Sequence, residues 1–111
     1  MNGSRGWAMA LLALISLGGW VAATAGKAPE AQVAISHFTF APGTLTVAAG
    51  TRVVWVNHDD EPHIVVSAGN GFASSKALDT GDSYATVFDK PGTYAYFCSI
   101  HPHMVGTIVV R

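Results

Sequence analysis

The chain predicts an all-β domain, a two-sheet β-sandwich of roughly seven to eight short strands in a Greek-key arrangement. Two observations carry this prediction. Gly and Pro recur at short intervals after residue 26, and β-branched and aromatic residues fill the gaps between them. No long helical period and no internal repeat interrupts that pattern.

The elements run in order along the chain. Residues 31–40 read as strand one, and Pro42-Gly43 turns the chain into a strand at 44–48. Ala49-Gly50 leads into 51–57, where Val53-Val54-Trp55-Val56 reads as a buried strand. Residues 58–62 form a polar loop before a strand at 63–67. The Gly-, Ser- and Ala-rich stretch 68–80 fits either a short strand or a helical turn. Residues 83–88 alternate aromatic and small side chains, Lys90-Pro91-Gly92 is a turn, 93–98 is a strand, and 106–111 closes the domain.

The first 25 residues differ from the rest. Arg5 supplies a positive start, residues 7–17 are almost wholly apolar, and Ala23-Thr24-Ala25 fits the small-x-small cleavage rule. Such a segment is a secretory signal peptide, residues 1–25, cleaved after Ala25. The apolar run is short for a membrane span, which needs roughly 20 residues. Residues 26–111 then form one domain, expected in a bacterial periplasm as a monomer with no membrane attachment. Six Lys and Arg less Arg5 leave five against seven Asp and Glu, and no basic run suggests nucleic acid. The single cysteine, Cys98, has no partner for an internal disulfide, so it is a free thiol, an inter-chain link or a metal ligand.

The residues after Cys98 favour metal. Cys98, His101 and Met104 offer a thiolate, an imidazole and a thioether at three-residue intervals, and Pro62-His63 adds a second imidazole upstream. Two imidazoles and a thiolate with a weak axial thioether are the donor set of a type 1 copper site. Soft sulfur suits Cu(I) and imidazole suits Cu(II), so a compromise set requires little movement when an electron moves. The expected ligands are His63, Cys98 and His101 in the plane and Met104 on the axis. Pro62 and Pro102 stiffen the two loops. Zinc is chemically possible, but a thioether gives it little.

These motifs resemble the cupredoxins, and amicyanin most among them. The likeness rests on Val53-Val54-Trp55-Val56-Asn57 leading to Pro62-His63, and on Cys98-x-x-His101-x-x-Met104 followed by Gly106-Thr107. Plastocyanins and pseudoazurins are related but have a longer gap between the loop His and Met. The resemblance implies a copper-binding Greek-key sandwich that shuttles electrons between periplasmic redox proteins. For amicyanin the donor is methylamine dehydrogenase and the acceptor a c-type cytochrome. Two positions depart from the family pattern. Ile64 stands where Asn or Thr often comes directly after the first His, so the supporting hydrogen bond comes from elsewhere, Asn57 being a candidate, or is missing. His103 stands where Phe commonly precedes the Met, which places an ionisable group near the metal.

The remaining polar residues carry plainer expectations. His58 and His103 read as solvated loop histidines, with competition for copper or a pH response as the sharper option for His103. His37 reads as an ordinary polar position on strand one. Asp59, Asp60 and Glu61 form either a solvated turn or a docking edge for a basic partner. Trp55, Tyr84, Tyr94, Tyr96 and Phe97 read as packing residues. A one-electron carrier is the leading function. A copper delivery or storage module is the alternative, although such proteins favour Met- and His-rich clusters and Met104 is the sole methionine after residue 26. An enzyme needs an open metal position, and four protein ligands leave none.

Overall fold

Strand β4 (Thr51–Asn57) shows how the sequence pattern becomes a layer. Thr51, Val53, Trp55 and Asn57 are buried and the residues between them are not, the two-residue period of a strand with one face on the core. In the computed structural model, which describes residues 28–111, β4 lies inside a four-stranded sheet. It pairs parallel with β1 (Glu30–Ser36) and antiparallel with β6 (Ser83–Phe88), and β2 (Thr39–Ala41) extends the sheet beyond β1. The second sheet has the order β3 (Thr44–Val47), β8 (Val105–Val110), β7 (Gly92–Cys98), β5 (Val65–Ser67). The all-β sandwich with eight strands matches the expected fold class. The expected export segment, residues 1–25, lies outside the described residues. Among the described residues no helix is long and apolar enough to cross a membrane.

The core sits between the sheets. Val33, Ile35, Val53, Trp55, Val65 and Ile108 are fully buried, and each such side chain contributes about 1.5–3 kcal/mol. Trp55 is the hub: Tyr96 meets it edge-on at 5.3 Å and Phe72 stacks on it at 5.7 Å. The ring of Tyr96 also fixes its neighbour on β8. A Cβ at Gly106 would lie 2.4 Å from the Tyr96 ring, so only glycine fits beside that tyrosine.

Two expectations need correction. Residues 31–40 are not one strand. The chain reverses at His37 and Phe38, with φ of 54° and 56°, so β1 and β2 form a hairpin and His37 lies in its turn. Both central residues are left-handed, the geometry of a two-residue type I′ loop, which normally calls for Asn and Gly. No Gly or Pro announces it, because the stabilising partner is remote: the Asp59 carboxylate accepts the N–H groups of His37 and Phe38. The stretch 68–80 forms neither a strand nor a helix. It folds back over the core with Phe72 and Leu78. The Ser67 hydroxyl accepts the Gly71 N–H, and Ser75 exchanges hydrogen bonds with Val65.

Tyr96 is 1 % exposed, and burial pushes its hydroxyl up to about 12. The indole N–H of Trp55 lies near, yet neither polar atom completes a hydrogen bond of normal geometry. The native state therefore holds the phenolic proton where the unfolded chain, titrating at about 10, releases it. That contribution is complete below pH 10 and is lost as pH rises toward 12, at about 1.4 kcal/mol per pH unit. Urea unfolding at pH 9 and pH 11 will show this loss in the native protein and a smaller one in Tyr96→Phe.

Candidate metal centre

Pairing between β5 and β7 places Val65 opposite Cys98. The loop ahead of β5 therefore runs beside the end of β7, and Ser99 N–H continues the contact to the Ile64 carbonyl at 3.3 Å. One pole of the sandwich thus receives His63 from the β4–β5 loop, Cys98 from the end of β7, and His101 and Met104 from the β7–β8 loop.

The three-residue spacing has a local cause. The His101 N–H donates to the Cys98 carbonyl at 3.2 Å, and the Met104 N–H donates to the His101 carbonyl at 2.8 Å. Two successive i,i+3 turns curl the segment, and the Cys98 N–H closes it onto the Met104 carbonyl at 3.1 Å. The first turn brings His101 Nδ1 to 3.7 Å from Cys98 Sγ. Cys98 is fully buried, Met104 is 2 % exposed, and His101 reaches partway to the surface.

His63 is fully buried and held at both ends. Its backbone exchanges hydrogen bonds with Leu78 at 3.1 and 2.8 Å, and its Nε2 lies 2.9 Å from Asp59 Oδ2. A carboxylate there keeps the proton on Nε2 and leaves the Nδ1 lone pair free. That Nδ1 lies 3.7 Å from Cys98 Sγ, and His101 Nδ1 lies at the same distance on the other side. The Ile64 N–H points at the same sulfur, 3.4 Å away, and supports negative charge on it.

Asp59 connects more than the imidazole. Its Oδ1 accepts the His37 N–H at 2.7 Å and its Oδ2 accepts the Phe38 N–H at 2.9 Å. Burial works to raise its pKa, but the Phe38 N–H, the His63 ring and the His37 N–H together hold the carboxyl below its ordinary value. The turn it braces is costly, since a left-handed non-glycine residue loses roughly 1–2 kcal/mol. The Phe38 side chain, 39 % exposed, meets His63 edge-on at 5.3 Å and His101 edge-on at 5.1 Å.

The donor separations fit a metal ion. Bonds of about 2.0 Å to imidazole and about 2.3 Å to thiolate, opened to about 120°, separate N and S by about 3.7 Å. All three donor atoms of His63, Cys98 and His101 lie within 4.8 Å of one another. A thiolate with a thioether buried in the same loop favours copper over harder ions.

The structure thus brings together His63, Cys98 and His101, and it buries Met104 in the loop that carries two of them. His58 and His103 lie exposed, as expected. Asn57 bonds neither histidine ring. Its amide donates to the Glu61 and Leu78 carbonyls, each at 2.9 Å, and its carbonyl accepts the Asp59 N–H, which sets the loop that carries His63. The supporting bond that Ile64 cannot make, and for which Asn57 was the candidate, is made to the His63 ring by Asp59. Sequence reading missed this role, because Asp59 sits in an acidic run; its spacing four residues before His63 was the available signal.

A buried cysteine sulfur and two imidazoles at one pole of a two-sheet sandwich define a mononuclear copper-site protein of the β-sandwich class. Residues 8–110 match the model of the cupredoxin-like domain, and the chain belongs to the cupredoxin family, whose cofactor is a type 1 copper ion. It is 31% identical to amicyanin-alpha of Methylorubrum extorquens over 108 residues, covering 94% of this chain and 91% of that protein. A solved purple cupredoxin from Nitrosopumilus maritimus superposes with a TM-score of 0.67 at 35% identity, covering 73% of this chain and 99% of the other. A copper-containing nitrite reductase from Thermus scotoductus superposes with a TM-score of 0.70 at 30% identity, covering 87% of this chain but 25% of that enzyme. The resemblance read from the motifs is borne out.

Removing the Asp59 side chain deprives three N–H groups of their acceptor. Asp59→Ala is expected to lower the unfolding free energy of the metal-free protein by about 1–3 kcal/mol, read by urea denaturation. An unchanged midpoint would show that water replaces the carboxylate without loss.

Proposed function

We propose that this protein is a periplasmic one-electron carrier in which His63, Cys98, His101 and Met104 hold a single type 1 copper ion. The observation that carries this reading is the convergence of three donor atoms within 4.8 Å, with two of the side chains fully buried and His101 reaching partway to the surface. When bound, copper supplies a reversible one-electron couple. The chain's own residues supply the rest. Asp59 fixes the His63 ring, the two turns fix Cys98, His101 and Met104, and a frame already in place needs little rearrangement between oxidation states.

His101 is the ligand nearest to a docking partner. The surrounding pole exposes Phe38 and Ile100, 39 % and 45 % exposed, with the acidic Asp60 and Glu61 on the adjoining loop. Such a surface suits a redox protein whose docking face is apolar with a basic rim. A periplasmic dehydrogenase as donor and a c-type cytochrome as acceptor are the partners this reading favours. Residues 1–25 act as the export signal, and the monomeric domain 26–111 is the working form. Delivery or storage of copper would call for ligands that exchange readily, whereas His63 and Cys98 are fully buried. Four protein ligands leave no position for a substrate, which supports a carrier rather than an enzyme.

The visible spectrum of the oxidised, copper-loaded protein tests this directly. It is expected to show an intense thiolate-to-copper band that Cys98→Ser abolishes; a band that survives the substitution would remove Cys98 from the site. Met104→Gln is expected to retain copper and to lower the reduction potential, measured by voltammetry. An unchanged potential would remove Met104 from the axis.

A further inference from the structure

The tip of the β1–β2 hairpin is built in a way that the fold alone does not require. Two consecutive non-glycine residues, His37 and Phe38, adopt left-handed backbone geometry in a two-residue loop. Backbone strain of this kind persists where the surroundings over-determine it, and it concentrates at functional sites. Here the surroundings are specific. Asp59 takes one N–H from each strained residue and also holds His63 Nε2, so one carboxylate locks the hairpin tip to a ligand ring. The Thr39 hydroxyl donates to the Ser36 carbonyl at 2.8 Å and closes the turn from the other side.

The conformation has a consequence for one side chain. Phe38 is carried over the pole, where its ring meets both imidazoles edge-on, with interplanar angles of 84° and 89°. A single apolar ring thus bridges the gap between a ligand from the β4–β5 loop and a ligand from the β7–β8 loop. Phe38 itself is partly exposed, yet His63 against it is fully buried.

We propose that Phe38 is a cover for the metal centre, held in place by Asp59, that keeps small exogenous ligands and thiol-reactive molecules away from the His63, Cys98 and His101 donor set. The molecules it excludes are small anions and neutral donors that could compete for copper. The strained turn is the means of delivery: it aims an aromatic ring at the two histidines and leaves no slack in the backbone beneath it. This proposal rests on the assignment of His63, Cys98 and His101 as ligands.

Two substitutions separate the cover from the turn. Phe38→Gly removes the ring and relieves the left-handed backbone; Phe38→Ala removes the ring and keeps the strain. In the metal-free protein, both are expected to speed alkylation of Cys98 by iodoacetamide about tenfold or more, because reaction of a buried thiol waits on local opening. The thermal midpoint of Phe38→Gly is expected to lie above that of Phe38→Ala, so alkylation that is equally fast in the two variants follows the missing ring and not the stability of the fold. In the oxidised copper-loaded protein, both variants are expected to show azide-dependent changes in the visible band at concentrations that leave the native protein unchanged.

Alkylation at the native rate in both variants, with the native protein showing its thiolate band, would overturn the cover alone. A native protein without that band would overturn the ligand assignment and, with it, what the cover protects. Faster alkylation that tracks a falling midpoint in both variants would assign Phe38 to stability and overturn its role as a cover.

Discussion

One carboxylate organises the functional pole of this molecule. Asp59 receives N–H groups from both residues of the β1–β2 turn and lies against the ring of His63. Hydrogen bonds to an ionised acceptor are about twice as strong as neutral ones, so three of them on one side chain can balance two strained residues. The same loop is anchored from below, where the Asn57 side chain holds the Glu61 and Leu78 carbonyls and receives the Asp59 N–H. The Thr80 hydroxyl reaches the Asp59 carbonyl from a third direction. Segments distant in the chain therefore meet at one residue, and the imidazole orientation is a product of that meeting.

The two loops that carry the candidate donors are held for different reasons. The β7–β8 loop is rigid from within, through successive turns that need only its own backbone. The β4–β5 loop is rigid from without, through Leu78, Asn57 and Asp59. Local rigidity is written in spacing, and the Cys98, His101 and Met104 interval could be read at once. Rigidity imposed from outside leaves no such mark.

That difference also decides what could be read from the sequence. β4 and β6 have the bounds that alternation and flanking turns predicted, because strand period and Gly or Pro stops are local signals. The hairpin at His37 and Phe38 escaped, because its stabilising acceptor lies 21 and 22 residues away. The stretch 68–80 escaped because Phe72 and Leu78 pack as isolated apolar anchors with no period to detect. At the site, chemistry named the donors, since few other combinations of thiolate, thioether and imidazole have a use. Asp59 remained hidden among three consecutive acidic residues, where charge alone does not distinguish a structural carboxylate from its solvated neighbours.

The parallel pairing of β3 with β8 bears on the order in which the molecule assembles. Thr44 pairs with Thr107, 63 residues further on (107 − 44), and the sheet that carries Cys98 needs this strand. Contacts of such long range slow folding, since the chain must close large loops before they reward it. β8 comes after the sulfur and imidazole donors in the chain, so the donor loop acquires its far anchor only after all of its own residues have been made. A nascent chain that lacks β8 therefore carries its thiol without the enclosure that shields it in the finished domain. The interval between synthesis of Cys98 and docking of β8 is the time during which this protein is most open to oxidation or stray metal.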